Sequence, residues 1–205
     1  MKKKNLLYVS ALCACMSFSF IGCSDDDDKQ EIPPLPEQIS LNGVYVLNSG
    51  NKGNNNSSLS FYDFETKKVE ADIFKKVNGR GLGDTANDIL VYGSKAYIAV
   101  TNSNTIEVTD LQGKSLKQIV SDGDPLQPRF FTCYNGKVYV SLYEGYVARL
   151  DTTSLSIESK VKVGRNPEQM AIANNKLYVA NSGGADFNTS VGYDKIGRAS
   201  CRERV

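Results

Sequence analysis

The feature that most constrains this chain is a short apolar strand pattern that returns four times. It stands as GVYVLNSG around Tyr45, KAYIAVTN around Tyr97, KVYVSLYE around Tyr139 and KLYVANSG around Tyr178, so the tyrosines lie 52, 42 and 39 residues apart. The last three runs follow another short strand that ends in a tight turn. The first three are followed by patterns for a third and a fourth strand, which in the first unit form the run LSFYDFETKKVEADIF. Gly, Asn and Asp separate the strands, as in β-turns. Each repeat therefore predicts a unit of four short antiparallel strands.

A four-stranded unit that repeats every forty or so residues is typical of a β-propeller with one unit per blade. The fold class is then all-β, and a β-sandwich with coincidental spacing is the alternative. No amphipathic helical pattern of useful length is present. The first unit starts at what should be its second strand, so residues 41–195 supply about three and a half blades. Because propellers have four to eight blades, we expect the sequence to be part of a longer one.

The first forty residues read as an export signal and a tether. Three lysines and an apolar run predict a signal peptide over residues 1–22, and an uncleaved anchor helix is the alternative. FIGC resembles the lipobox of bacterial lipoproteins, with Phe20 where leucine is usual, which implies lipidation of Cys23. The acidic run SDDDDKQE and the proline-rich IPPLPEQ complete a segment over residues 23–40. The acidic run resembles the surface-export signal of Bacteroidota lipoproteins, and it also fits a solvated linker.

Composition argues against several classes of function. The chain contains no histidine, which removes the commonest general base and the commonest transition-metal ligand. Cys133 is the one cysteine of the propeller body, residues 41–195, and we expect a small buried hydrophobic residue there. Without the basic residues at its two ends the body is slightly acidic, so no nucleic-acid partner is expected. We expect no enzyme activity, no metal and no cofactor.

The two faces of such a propeller differ in this sequence. Turns after the first and third strands of each unit are tight, as in YGSK, YNGK and LQGK, and they form the hairpin face. Turns after the second strand and links between units are longer and form the loop-rich face. NGRGLGD belongs to these links; it precedes a strand, so it is no dinucleotide-binding loop. The expected ligand-binding residues on the loop-rich face are Asn48, Asn51, Arg80, Asn87, Asn102, Gln127, Arg129, Tyr143, Tyr146, Arg165, Asn166, Asn181 and Phe187.

These side chains suit a large polar ligand that carries amides and a phosphate. Amide side chains both donate and accept hydrogen bonds, and arginine binds phosphate through two parallel N–H groups. The prediction applies to the face as a whole more than to any single residue.

The segment VGRNPEQMAIANNKLYVANS resembles the YVTN-type, YncE-like propeller repeat. Together with the lipobox and the acidic run, it makes the chain similar to the BtuG-type surface lipoproteins of gut Bacteroides. This resemblance implies a seven-bladed propeller on the outer surface of the outer membrane, which captures cobalamin and passes it to a TonB-dependent transporter. A surface-layer-like propeller that binds a protein or a glycan, and a propeller lactonase or lyase, remain as alternatives.

The final residues do not continue the repeat. IGRASCRERV, residues 196–205, resembles the translation of a common sequencing adapter. We expect it to be an artefact rather than a genuine basic tail, so its charges and Cys201 carry no functional weight.

Overall fold

The structure, a computed structural model, describes residues 41–121 and 123–183. The leader over residues 1–22, Cys23 with the segment that follows it, Phe187 and the tail over residues 196–205 lie outside the described residues. The expectations for those segments therefore stay predictions. Among the residues that are described, no helix has the length and apolar character needed to cross a membrane.

Thirteen strands in this part of the chain form four antiparallel sheets, in which strands pair in sequence order. The first sheet contains β1 (Gly43–Asn48), β2 (Ser58–Asp63) and β3 (Val69–Glu70). The second contains β4 (Ala86–Tyr92), β5 (Lys95–Val100), β6 (Thr105–Asp110) and β7 (Ser115–Ile119). The third contains β8 (Pro128–Tyr134), β9 (Lys137–Leu142), β10 (Tyr146–Asp151) and β11 (Ser156–Lys162). The fourth contains β12 (Pro167–Ala173) and β13 (Lys176–Asn181).

The sheets confirm the predicted fold class, because each is one blade of a partial β-propeller. The described residues hold three strands of a first blade, two complete blades and the first two strands of a fourth. In each of the last three blades the innermost strand carries an irregularity in its pairing close to its first residue. This irregularity changes the direction of the side chains at the start of the strand, as β-bulges do.

Apolar side chains fill the seams between adjacent blades. The seam cores include Leu59 and Ile98 between the first two blades, Tyr97 and Phe131 between the second and third, and Val147 and Val179 between the third and fourth. Burying one such side chain contributes about 1.5 to 3 kcal/mol. In β5 both faces are covered by neighbouring blades, so almost every residue is buried. In β1, burial alternates along the strand because the described residues cover one of its faces.

The outer edge of the first blade differs from the prediction. The fourth strand was expected to extend through EADIF, but β3 ends at Glu70 and the chain forms helix α1 (Ile73–Asn78) after it. The Asp72 carboxylate accepts a hydrogen bond from the backbone of the first turn, and Gly79 ends the helix in a left-handed conformation. Ile73 and Phe74 are buried in the first seam. The prediction was wrong because two adjacent apolar residues suit a short strand equally well, and only the neighbouring blade selects the helical turn.

The glycine-rich link NGRGLGD connects α1 to β4, and its glycines have structural causes. Gly83 has φ 133°, a conformation that disfavours any residue with a Cβ. A Cβ at Gly83 would lie 2.6 Å from Ser103 Oγ and 2.9 Å from Val100 Cγ1. The Gly83 carbonyl also accepts a hydrogen bond from the Ser57 N–H at 3.0 Å. The link therefore forms a close backbone approach between the first two blades.

In each of the first three blades, the strand in the third position ends at an aspartate, which lies on the hairpin face. Asp63, Asp110 and Asp151 each accept two backbone N–H groups from the turn that follows. The Lys137 ammonium lies 2.8 Å from the Asp151 carboxylate. This ammonium and the N–H groups of the turn hold the pKa of Asp151 well below its usual range. The hairpin face is thus fixed by the same local device in three blades.

Candidate functional site

The loop-rich face is built on one backbone device that recurs in three blades. The residue before each innermost strand is left-handed although none is glycine: Thr85 (φ 57°), Gln127 (φ 42°) and Asn166 (φ 49°). The carbonyls of these residues accept the N–H groups of Thr101, Tyr143 and Ser182 at 2.9, 3.0 and 3.0 Å. Such a conformation is uncommon for non-glycine residues, above all for a β-branched threonine. Its repetition gives the three loop ends the same geometry and aligns the side chains beside them.

Three aligned side chains connect the blades around the propeller. Asn87, Arg129 and Glu168 are each the second residue of an innermost strand. Asn87 Nδ2 donates a hydrogen bond to the Arg129 carbonyl at 2.7 Å. Arg129 Nε donates to Glu168 Oε2 at 3.0 Å, and both side chains are mostly buried. A charge-assisted bond of this kind, removed from bulk water, fixes the arginine more firmly than a surface ion pair would.

Further side chains join this group from the neighbouring loops. The Arg129 guanidinium carbon lies 5.2 Å from the centre of the Tyr143 ring, within the range of a cation–π contact. Asn166 Nδ2 donates to the Tyr143 carbonyl at 3.3 Å, and Asn102 Nδ2 donates to Thr85 Oγ1 at 2.9 Å. We call the set the inner rim; its members are Asn87, Asn102, Arg129, Tyr143, Asn166 and Glu168.

Two more carboxylates lie beside the inner rim. Asp88 follows Asn87 in β4, and its Oδ2 accepts the Phe131 N–H of the next blade at 2.8 Å. Burial raises the pKa of Asp88, although this hydrogen bond and one from its own strand oppose the shift. Asp84 Oδ2 accepts the Gly53 N–H at 2.8 Å. With Glu168, these carboxylates place three acidic groups beside Arg129, the one arginine among the members of the inner rim.

Arg80, which we expected among the ligand-binding residues, contacts groups outside the inner rim. Its Nη2 donates to Glu107 Oε1 at 2.9 Å and to Ser115 Oγ at 3.1 Å, on the two outer strands of the second blade. Its guanidinium carbon lies 4.8 Å from the centre of the Phe74 ring of α1. Arg80 therefore connects the first and second blades. The sequence could not show this, because a link residue can turn towards the channel or towards the outer strands.

The other expected residues divide between the face and the core. Asn48 Nδ2 donates to Ser58 Oγ at 3.1 Å, and Asn51 contributes its backbone N–H to a turn; both lie on the first blade, exposed. Tyr146 begins β10 and packs against the core of the second seam. Its ring is only partly buried there, so a contact of Tyr146 with a ligand stays a prediction.

Three residues support the loops through local hydrogen bonds. The Gln127 N–H donates to Asn104 Oδ1 at 3.3 Å. The Arg165 carbonyl accepts the Gly183 N–H at 3.3 Å. Asn181 Nδ2 donates to the Val163 carbonyl at 3.1 Å, in the link between the third and fourth blades.

Sequence reasoning missed Glu168 and Asp88. A usable signal existed for Glu168, because QPRF and NPEQ place a residue directly after a proline in two successive blades. Aligning the prolines gives Arg129 and Glu168 the same position in the repeat. No comparable sequence signal marks Asp88, which accepts the Phe131 N–H at the register shift in β4.

The same face carries a cavity outside the inner rim. It has a volume of about 310 Å³ and is lined mainly by Ser103, Asn104, Val120, Ser121 and Asp124. Among residues 41–121 and 123–183, no cluster of three or more Cys, Asp or Glu side chains could hold a metal ion. Cys133 is a free thiol that is half-buried against the second seam rather than fully buried, and burial raises its pKa.

Comparison with known proteins gives one family and a set of distant structures. Residues 42–190 match the model of a family described as "Domain of unknown function (DUF5074)". No curated protein matches the sequence significantly.

Solved structures with propeller-like folds resemble the chain in fold alone. Kuenenia stuttgartiensis hydrazine synthase is 16% identical with a TM-score of 0.55, over 72% of this chain and 41% of that one. A functionally unknown protein from Desulfotomaculum acetoxidans DSM 771 is 14% identical with a TM-score of 0.52, over 73% and 49%. The computationally designed Ika8 protein is 12% identical with a TM-score of 0.50, over 73% and 46%. The chain thus spans less than half the length of each.

Proposed function

The chain belongs to the DUF5074 family, and from this membership and the propeller fold we propose that it captures a large polar ligand on its loop-rich face, without changing it chemically. The observation that carries the proposal is the inner rim. There, polar side chains from three blades converge on one surface through hydrogen bonds that cross the seams. The seam packing holds these groups in place before any ligand arrives, which lowers the entropy cost of binding.

Cobalamin is the ligand that we propose. It is a large molecule with many amide groups and one phosphate, so it can use several hydrogen-bonding positions on one face. The resemblance of the repeat and of the leader to cobalamin-capturing lipoproteins motivates this choice. By the same resemblance, the bound ligand would pass to a TonB-dependent transporter in the outer membrane.

The first residues of the propeller lie on the hairpin face, which is where a tether would join it. The Asn42 carbonyl accepts the Phe64 N–H at 2.8 Å, beside a turn of the hairpin face. A tether that ends at Leu41 would therefore join the propeller on the side opposite to the inner rim. We propose that Cys23 carries the lipid and that the loop-rich face points away from the membrane. Acyl chains contribute about 0.8 kcal/mol per buried methylene, so several of them suffice for stable anchoring.

Isothermal titration with cyanocobalamin tests the ligand. We expect saturable one-to-one binding that Tyr143→Ala weakens, because the ring supports Arg129 and forms part of the inner rim. Phe64→Ala is the control, since Phe64 is an exposed aromatic residue on the hairpin face. Absence of binding by the wild-type protein would refute cobalamin as the ligand.

Protease accessibility tests the location. In intact cells, we expect added protease to remove the wild-type protein from the cell surface. Cys23→Ala should leave the protein unlipidated and release it from the membrane fraction. A protein that stays protected until the cells are broken would contradict surface exposure.

A further inference from the structure

The side-chain amides of the three asparagines in the inner rim all have the same orientation, with the nitrogen bound to a protein acceptor. Asn87 and Asn166 each donate a side-chain N–H to a backbone carbonyl, which can only accept. Asn102 donates to Thr85 Oγ1, whose own proton is donated to the Asp84 carboxylate at 2.8 Å. The partner therefore decides the amide orientation in every case, and a flipped amide would bring two acceptors together.

This orientation leaves the amide oxygens for a ligand. An amide carries its oxygen and nitrogen on opposite sides of one carbon, so a nitrogen held against the protein leaves the oxygen on the other side. None of the three Oδ1 atoms accepts a hydrogen bond from the part of the chain that the structure describes. The carboxylates of Glu168 and Asp88 add further acceptors beside them.

The one cation of the inner rim is already engaged. Arg129 Nε binds Glu168, and the guanidinium lies over the Tyr143 ring. A phosphate at this position would meet the Glu168 and Asp88 carboxylates at close range, and like charges repel more strongly where water is partly excluded. The inner rim is thus rich in acceptors and its arginine is paired with a carboxylate, although its composition alone fitted a phosphate-binding face.

We propose that the inner rim recognises ligand N–H groups, those of primary carboxamides or protonated amines, and discriminates against phosphate. This inference rests on the proposed ligand-binding function and specifies the chemistry of the same site. Each amide oxygen that accepts a ligand N–H contributes a neutral hydrogen bond, and each carboxylate that accepts an ammonium contributes a stronger, charge-assisted one.

Four probes separate the possible sources of these N–H groups. Cyanocobalamin carries carboxamides and a phosphate, and dicyanocobinamide carries the carboxamides without that phosphate. Spermidine carries ammonium groups, and inorganic phosphate has neither carboxamide nor ammonium N–H groups. We expect dicyanocobinamide or spermidine to bind the wild-type protein by calorimetry, and inorganic phosphate neither to bind nor to displace them.

Matched variants test the role of the amides. Asn166→Gly keeps a residue that tolerates φ 49° but removes the side chain, and should weaken dicyanocobinamide binding about threefold to tenfold. Asn135→Gly is the control, because Asn135 has φ 47° and lies on the hairpin face. Glu168→Gln should weaken spermidine binding about tenfold or more, leave dicyanocobinamide within about twofold, and allow phosphate to bind near the released Arg129.

The outcomes separate this inference from the proposed function. Binding of cyanocobalamin without dicyanocobinamide, or displacement of a probe by phosphate, overturns the inference and leaves capture standing. Binding of spermidine but not cyanocobalamin supports the inference and overturns cobalamin as the ligand. Equal effects of Asn166→Gly and Asn135→Gly on a probe that binds would overturn the role of the amide oxygens, and failure of all probes would overturn both proposals.

Discussion

Truncating Arg80 should destabilise the protein far more than truncating a comparable surface arginine. The reason is its partner, because the Glu107 side chain in β6 is fully buried. Arg80 Nη2 donates to Glu107 Oε1 at 2.9 Å, and no other basic side chain of the described residues forms an ion pair with this carboxylate. Ser115 Oγ and Gln118 Nε2 supply its remaining hydrogen bonds. Arg80→Ala leaves these neutral donors and removes the positive charge.

The magnitude follows from the burial of the two partners. Removing one partner of a fully buried ion pair costs about 3 to 5 kcal/mol. The Arg80 side chain is 41% exposed, so water reaches part of the space that it leaves, and two neutral hydrogen bonds to Glu107 remain. We therefore expect Arg80→Ala to lower the free energy of unfolding by about 2 to 3 kcal/mol, below the fully buried value.

Arg149→Ala is the matched control. Arg149 is 38% exposed and donates to Glu158 at 2.9 Å, so the two arginines have similar exposure and similar bond lengths. The Glu158 side chain, however, is 26% exposed and is also bound by Lys137. Removing Arg149 should cost less than about 1 kcal/mol. The difference between the two variants therefore reports mainly the burial of the carboxylate, with smaller contributions from the Arg80 contacts to Ser115 and Phe74.

Urea denaturation at pH 7, followed by circular dichroism, measures both variants against the wild-type protein. The slope of the free energy against urea should stay constant, so that the midpoint reports stability. In the Arg80→Ala background, Glu107→Gln should restore much of the loss by removing the unpaired charge. Equal losses for Arg80→Ala and Arg149→Ala would refute the reasoning. At temperatures where Arg80→Ala is folded, its ligand affinity should match wild type, because Arg80 lies outside the inner rim.

Three further predictions concern other buried or strained groups. Tyr45 and Tyr97 occupy the same position in successive repeats, but the Tyr45 hydroxyl donates to a backbone carbonyl, whereas the buried Tyr97 hydroxyl has no partner among the described residues. Thermal unfolding should therefore show a loss of about 1 kcal/mol for Tyr45→Phe and none for Tyr97→Phe; equal losses would contradict this. Because the pKa of Asp151 is lowered in the folded state, its stabilisation is complete above the unfolded pKa of about 3.9 and is lost as the pH falls below it. The difference in urea midpoint between Asp151→Asn and wild type should thus shrink in acid, and a constant difference would argue against the shift. Gly83→Ala should cost more than about 1 kcal/mol in urea denaturation, because its φ of 133° and its close neighbours both exclude a Cβ; a neutral result would disprove the close approach.

Most of the blade architecture could be predicted, because it follows from a local periodic pattern. The Tyr-centred strands around Tyr97 and Tyr139 lie in the second strand of a blade, as their spacing indicated. The site was predictable in part, since five of the six members of the inner rim were among the expected residues. Glu168 was not, because a glutamate on a half-buried strand looks like an ordinary solvated charge until Arg129 is placed beside it.

By itself, the sequence determined the strand order, the antiparallel meander and the division into a hairpin face and a loop-rich face. These features depend on side-chain alternation and turn residues, which act over a few neighbouring positions. Only the tertiary structure decided that Ile73–Asn78 is helical, that Arg80 turns towards a buried glutamate, and that three rim amides direct their nitrogens into the protein. Each of those outcomes depends on a partner in the next blade or loop, and for the hydrogen bonds named here that partner lies 17 to 42 residues away along the chain. A local pattern carries no information about such a partner, because only the packing of the blades brings the two groups together.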